Sequence, residues 1–319
     1  MKQMTVVDLL DKRSRKSYSI ERKRWAIKGG KLVIDLVVPW VFISFIFTIF
    51  WFFRESSIIS WFLLLAMPLF ISYWKLAYQV FFHEAAHYNL CKDKRLNDFF
   101  ANLFWTPFTG LWIQKYRQHH WAHHMHLGNS NDTEISYVSP LNAKSLMEAL
   151  FGIYLLKTVF RYFSVAQASV KKSQNSFFGG HFWLGIVFML VVQFSVSAVL
   201  AFQINLFAGV CWLISVFVTD PLLTKIRQTL EHRSESDKIS NSFEENKDLA
   251  VNQIFGNDLF SYYFGAAGFN KHLLHHLDPS ISYTCFDEFE NFLTDYGAQE
   301  YLKSRRTSYK NKFLDCFNW

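Results

Sequence analysis

The apolar residues of this chain do not recur at a helical or strand period along its length. They accumulate in four blocks, at residues 32–53, 58–74, 182–202 and 206–219. A bilayer core about 30 Å thick is crossed by ~20 helical residues, so the first and third blocks span it outright and the other two are slightly short. The second is expected to borrow Lys75 as a snorkelling end, and the fourth to stop at Asp220-Pro221. Between the first and second blocks lie only Arg54-Glu55-Ser56-Ser57, and between the third and fourth only Gln203-Ile204-Asn205. Connectors that short predict two tight helical hairpins with almost nothing exposed on the far side.

The pattern therefore predicts an all-α integral membrane protein, four transmembrane helices forming two hairpins beneath a helical cap on one face. The whole chain, 1–319, reads as one unit. It divides into a basic N-terminus (1–31), a first hairpin (32–80), a near-side segment (81–181), a second hairpin (182–222) and a cap with its tail (223–319). Two shorter apolar stretches, 99–113 and 146–160, are interrupted by Pro107, Gly110 and Gly152. They are expected to be interfacial or partly buried helices, because a fifth span would split the chain's histidines across the membrane. Residues 234–248 are polar and predict a surface loop, and no internal repeat or low-complexity tract is present.

Charge adds orientation. The net charge is +7, and ten Lys and Arg residues lie between Lys2 and Lys31, directly before the first block. Such placement predicts a cytosolic near side holding both termini, an inner-membrane location if the source is bacterial. It does not resemble a recognition helix, so no nucleic-acid partner is expected. About thirty polar and basic residues precede the first block, unlike a secretory signal. The four cysteines, Cys91, Cys211, Cys285 and Cys316, show no paired spacing and read as reduced thiols.

The candidate chemistry lies in the histidines. Ten of the twelve fall into three groups: His83-Glu84-Ala85-Ala86-His87; His119, His120, His123, His124 and His126; and His272-Leu273-Leu274-His275-His276. Residues three and four apart share a helix face, so His83/His87, His120/His123/His124 and His272/His275/His276 can each aim at one point. Neutral imidazole is a good ligand for iron, zinc and copper. Eight such rings, with His232 beside Glu231, are too many for one ion and suit two. A lone histidine at a span end, such as His181, reads as structural. His83-Glu-Ala-Ala-His87 also fits the HExxH pattern of zinc proteases. That rival would need one further ligand, would leave both HxxHH groups unexplained, and lacks a clear Leu-Asp-Gly segment.

These motifs resemble the membrane fatty acid desaturase and hydroxylase superfamily, in its bacterial-type branch. The resemblance rests on HEAAH at 83–87 with Leu90 and Asn97-Asp98 behind it, and on His120-Trp-Ala-His123-His124 continued by Gly128, Asp132 and Glu134. It rests further on Arg227-Gln-Thr-Leu-Glu231-His232 and on Asn270-Lys-His272-Leu-Leu-His275-His276-Leu-Asp278-Pro279. It implies a non-haem di-iron centre held by His83, His87, His120, His123, His124, His232, His272, His275 and His276. His119 and His126 would line or support the site, together with Asn270 and Asp278, while Glu84, Asp132 and Glu231 are candidates to orient ligand rings from outside. Implied as well are O2 as co-substrate, a lipid or acyl-chain substrate, and an external electron donor of ferredoxin or cytochrome b5 type. The expected reaction is insertion of a C=C bond, the alternative hydroxylation or ketolation of a lipid, sphingoid base or carotenoid. Departures from the family pattern cluster in the last box, at Leu273, Leu274 and Asp278.

Overall fold

In a computed structural model the described residues are 5–134, 136–154, 156–157, 177–235 and 250–318, with side chains of the third apolar segment described from Trp183 onward. The side chain of His181 and most of the polar 234–248 stretch lie outside them.

Helices α1 (Val6–Leu9) and α2 (Lys12–Arg24) lead into α3 (Gly29–Phe52), the first candidate span. Helix α4 runs from Ser57 to Ala86. At 1.5 Å per residue its thirty residues reach about 45 Å, well beyond a hydrocarbon core. The second apolar block therefore does not end at Trp74. It continues without a break for three turns and delivers His83 and Glu84 on its final turn, with His87 as C-cap.

The third span is α8 (Phe177–Gln203), which follows α5 (Lys94–Thr109), α6 (Ile113–His126) and α7 (Ala143–Leu150). The fourth is α9 (Leu206–Ile214), which passes through a π-turn at Ser215–Thr219 into α10 (Asp220–His232). Asp220-Pro221 does not end it, contrary to the sequence expectation. The wider π-turn directly before Pro221 is the local adjustment by which a helix carries a residue that has no N–H to donate. The result is a helix about 40 Å long ending in Glu231 and His232.

Polar pins hold the apolar bundle together. Tyr78 donates to the carbonyl of Leu36, and Phe42 stacks on Trp74 at 4.0 Å, tying α3 to α4. Ser72 and Thr219 bond each other at 2.6 Å, while Thr219 also reaches the Pro68 carbonyl, so the π-turn is bolted to α4. Trp212 donates to Gln193, which donates in turn to the Pro107 carbonyl, joining α9, α8 and α5. Buried donors without water partners must be satisfied this way inside a membrane. Gly185 packs so tightly that a Cβ there would lie 2.3 Å from the Gly110 carbonyl oxygen. Small residues at such crossings let helices approach closely.

Lys75 does not snorkel. It is 4 % exposed, pairs with Asp220 at 3.8 Å and lies over the rings of Phe108 and Trp212. Its partner is 145 residues away, on a helix that the sequence reading had ended at that residue.

Helix α5 is amphipathic. It buries Asn97, Ala101 and Trp105 and exposes Phe99, Phe100, Leu103 and Phe104. All four cysteines are free, as their spacing indicated. After α10 the chain forms α11 (Leu259–Phe264), α12 (His272–Leu277) and α13 (Phe286–Leu293), which close over the histidine ends of the spans.

Candidate metal centre

Three helix ends and one short helix bring the histidines together. The last turn of α4 supplies His83 and His87, and Arg117 from α6 clamps that turn by donating to the carbonyls of Ala85 and Ala86. Asn97 of α5 donates to the Ala85 carbonyl as well. These bonds satisfy C-terminal carbonyls that a helix cannot satisfy itself. Helix α6 supplies His120, His123 and His124, α10 supplies His232, and α12 supplies His272, His275 and His276. The turn before α12 is tight: Ala266 and Ala267 have φ of 49° and 55°, and Gly268 has φ 128°. Two left-handed alanines are strained backbone of the sort that surrounding packing must enforce.

Ligand atoms of His83, His87, His120, His124 and His275 all lie within 4.8 Å of one another, and so do those of His123, His232 and His276. His272 stands beside the second group. Its Nε2 is 3.2 Å from Nε2 of His232 and 3.0 Å from Nε2 of His276. The two groups touch each other, since the His123 and His124 ring centroids are 5.7 Å apart. All nine expected ligand histidines are thus buried in one cluster.

The donor chemistry fits metal. Both ring nitrogens of His83 and of His87, Nε2 of His123, and Nδ1 of His124, His272 and His275 are buried without a hydrogen-bond partner. Orphan buried nitrogens are costly, and a coordinated cation would satisfy one nitrogen each on His83, His87 and His123. It would also relieve the close Nε2–Nε2 approaches among His120, His124 and His275 and among His232, His272 and His276. Burial, reinforced by neighbouring imidazoles, holds His87, His124, His272, His275 and His276 well below the ordinary histidine range, so these rings are neutral, the form that binds metal.

Outer partners fix some of the rings. Nδ1 of His120 is 2.8 Å from Glu134, Nδ1 of His123 is 2.8 Å from Asp132, and Nδ1 of His232 is 2.9 Å from Asn252. Asp132 is itself held by the Tyr137 hydroxyl. Burial opposes ionisation of Glu134, but the His123 and His120 rings outweigh it and keep that carboxyl far below the usual carboxylate range. Burial likewise lowers His123, yet Glu134 and Asp132 together raise it above the ordinary value.

The remaining expected site residues sit differently. Glu84 is fully buried and accepts from the backbone N–H of Tyr283 at 3.1 Å. Glu231 accepts from Arg227 and from Tyr309. Asn270 donates to the Gly256 carbonyl, and Asp278 accepts from Tyr18 and pairs with Arg22, tying α2 to the end of the last box. His119 and His126 are half-buried on α6, and His119 lines the neighbouring cavity. Sequence reasoning noted Glu134 only as a motif residue and missed Asn252, whose contact with His232 spans twenty residues and follows no helical spacing.

That cavity has a volume of about 820 Å³. It touches His83, His232 and His272, and its wall combines the apolar Trp105, Phe108, Met189 and Phe217 with the charged Lys75, Asp220, Lys225 and Glu231.

Four apolar spans capped by a buried polyhistidine cluster define a membrane protein with a centre able to bind metal, beside a cavity of mixed apolar and polar lining. A sequence model of the fatty acid desaturase family matches residues 59–306. The chain belongs to that family, whose histidine boxes are the three groups described above, and its function is of the desaturase or hydroxylase type. No curated protein matches it.

Proposed function

We propose that this chain is an oxygen-dependent fatty acyl desaturase, with His83, His87, His120, His123, His124, His232, His272, His275 and His276 holding two non-haem irons. What supports this reading most is the cavity, which sets a volume of about 820 Å³, walled in part by Trp105, Phe108, Met189 and Phe217, against His83, His232 and His272. When bound, the irons supply the oxidising power to take hydrogen from an unactivated C–H bond with O2. The net change removes two hydrogens from neighbouring carbons and, with O2, two electrons and two protons, yields a double bond and two waters. The chain's own residues hold the alkyl segment against the centre, exclude bulk water and orient the rings. Asp132, Glu134 and Asn252 orient His123, His120 and His232 through their Nδ1 atoms.

Three further imidazoles, His120, His124 and His275, converge on the HEAAH pair, and Glu84 accepts from the Tyr283 backbone. Both features count against a zinc protease, which needs one further ligand and a glutamate turned to metal-bound water. In this reading the two pairs of spans cross as hairpins, the whole chain works as one unit, and both termini and the centre face the cytosol. A separate ferredoxin- or cytochrome b5-type protein supplies electrons. Expression in a host with a suitable carrier, followed by mass spectrometry of total lipids, tests the reaction. Products lacking two hydrogens are expected. Products gaining one oxygen would identify a hydroxylase instead.

A further inference from the structure

Every ligand-candidate histidine is buried, so electrons from a soluble carrier must cross protein to reach the centre. Tunnelling falls off exponentially with distance, and the thinnest conjugated path is therefore decisive. Phe269 and Tyr137 touch the cluster but are buried. Trp121 differs. Its ring centroid is 5.1 Å from that of His87 and 6.0 Å from that of His124, yet the residue is 41 % exposed.

The surface beside Trp121 is basic and partly apolar. Met125, one turn further along α6, is exposed. Tyr88 follows His87 in a left-handed conformation, φ 60°, which places its ring under two cations. The Arg117 guanidinium lies 3.8 Å and the Lys94 ammonium 4.8 Å from its centroid. Lys94 and Arg95 are exposed in the first turn of α5, with Lys92 exposed just before its N-cap Asp93. An exposed aromatic and a methionine rimmed by cations suit a small protein docking site for an acidic partner.

We propose that this face, centred on Trp121 with Lys92, Lys94 and Arg95 at its rim, docks a small acidic one-electron carrier protein and passes its electrons to the centre through the Trp121 indole and the His87 ring. In each transfer the reduced carrier loses one electron and the metal site gains it, and two transfers supply the two electrons of the overall reaction. This inference rests on the di-iron reading of the centre.

The test uses the full-length protein in detergent or nanodiscs, with a reduced acidic ferredoxin as probe. Lys94→Glu/Arg95→Glu is expected to weaken carrier binding about tenfold at low ionic strength, with the difference shrinking as salt rises. Acidic residues in the first turn of a helix favour folding, so this variant keeps its stability. Trp121→Leu is expected to hold the same metal and, with carrier at saturating concentration so that any loss of docking is offset, to be reduced several-fold more slowly by carrier while dithionite reduces it at the wild-type rate. Unchanged binding in the charge-reversed variant, or unchanged carrier-driven reduction in Trp121→Leu, would overturn the proposal. The binding arm needs no metal, so it reads the docking face alone. Protein that takes up no iron under any condition would instead defeat the underlying di-iron reading.

Discussion

The two halves of the histidine cluster are built differently. The first gathers five imidazoles, His83, His87, His120, His124 and His275, but among the described residues a carboxylate stands behind His120 alone, and four of the rings keep a buried nitrogen without a partner. The second gathers three, His123, His232 and His276, with His272 adjoining, and both His123 and His232 are oriented from outside by Asp132 and Asn252. One half secures its geometry by number and packing, the other by oriented rings. A site with few donors depends more on the angle of each, so the second half should be the more sensitive to single substitutions.

The largest expected effect separates the halves directly. His276→Ala leaves His123, His232 and the adjoining His272 in its half, and metal content should fall from about two ions per chain toward one, with product lost entirely. His275→Ala leaves four rings in the other group and should retain more metal while also losing product, because both positions are needed. Equal metal loss in the two variants would erase the distinction. Next in size, Asp132→Asn should weaken metal binding about 10–100-fold, the usual cost of losing an outer partner, whereas Glu134→Gln should cost less. Metal titration of the purified variants measures both. A third substitution lies away from either half. Lys75→Met breaks the pair with Asp220 and should destabilise. Because Asp220 is 26 % exposed, the loss should be less than the roughly 3–5 kcal/mol of a fully buried pair, and Lys75→Met/Asp220→Leu should recover part of it. Thermal unfolding in detergent checks this, and the metal ratio between the halves should not move. The smallest effect belongs to Glu84→Gln, which keeps an acceptor for the Tyr283 N–H and should leave metal content unchanged. A loss like that of Asp132→Asn would mean that Glu84 orients a ligand ring.

Helical spacing explains what the sequence revealed and what it hid. The spans and the histidine groups were legible because hydropathy and the i, i+3, i+4 rule act within one helix. The ends of the second and fourth spans were misjudged for a physical reason. Each helix continues past its apolar part to carry ligands, so polarity changes where secondary structure does not. Lys75 with Asp220, Asn252 with His232 and Arg117 on the Ala85 and Ala86 carbonyls are contacts between distant segments, and no local pattern encodes them. Trp121 was visible only as one letter inside a histidine box. Its exposure and its contact with His87 emerge only when α6 is laid against the end of α4.

The central claim is that two irons occupy this cluster, and metal analysis of the purified full-length protein tests it most directly. About two irons per chain are expected, falling toward one in His276→Ala. A single zinc with no iron would contradict the account.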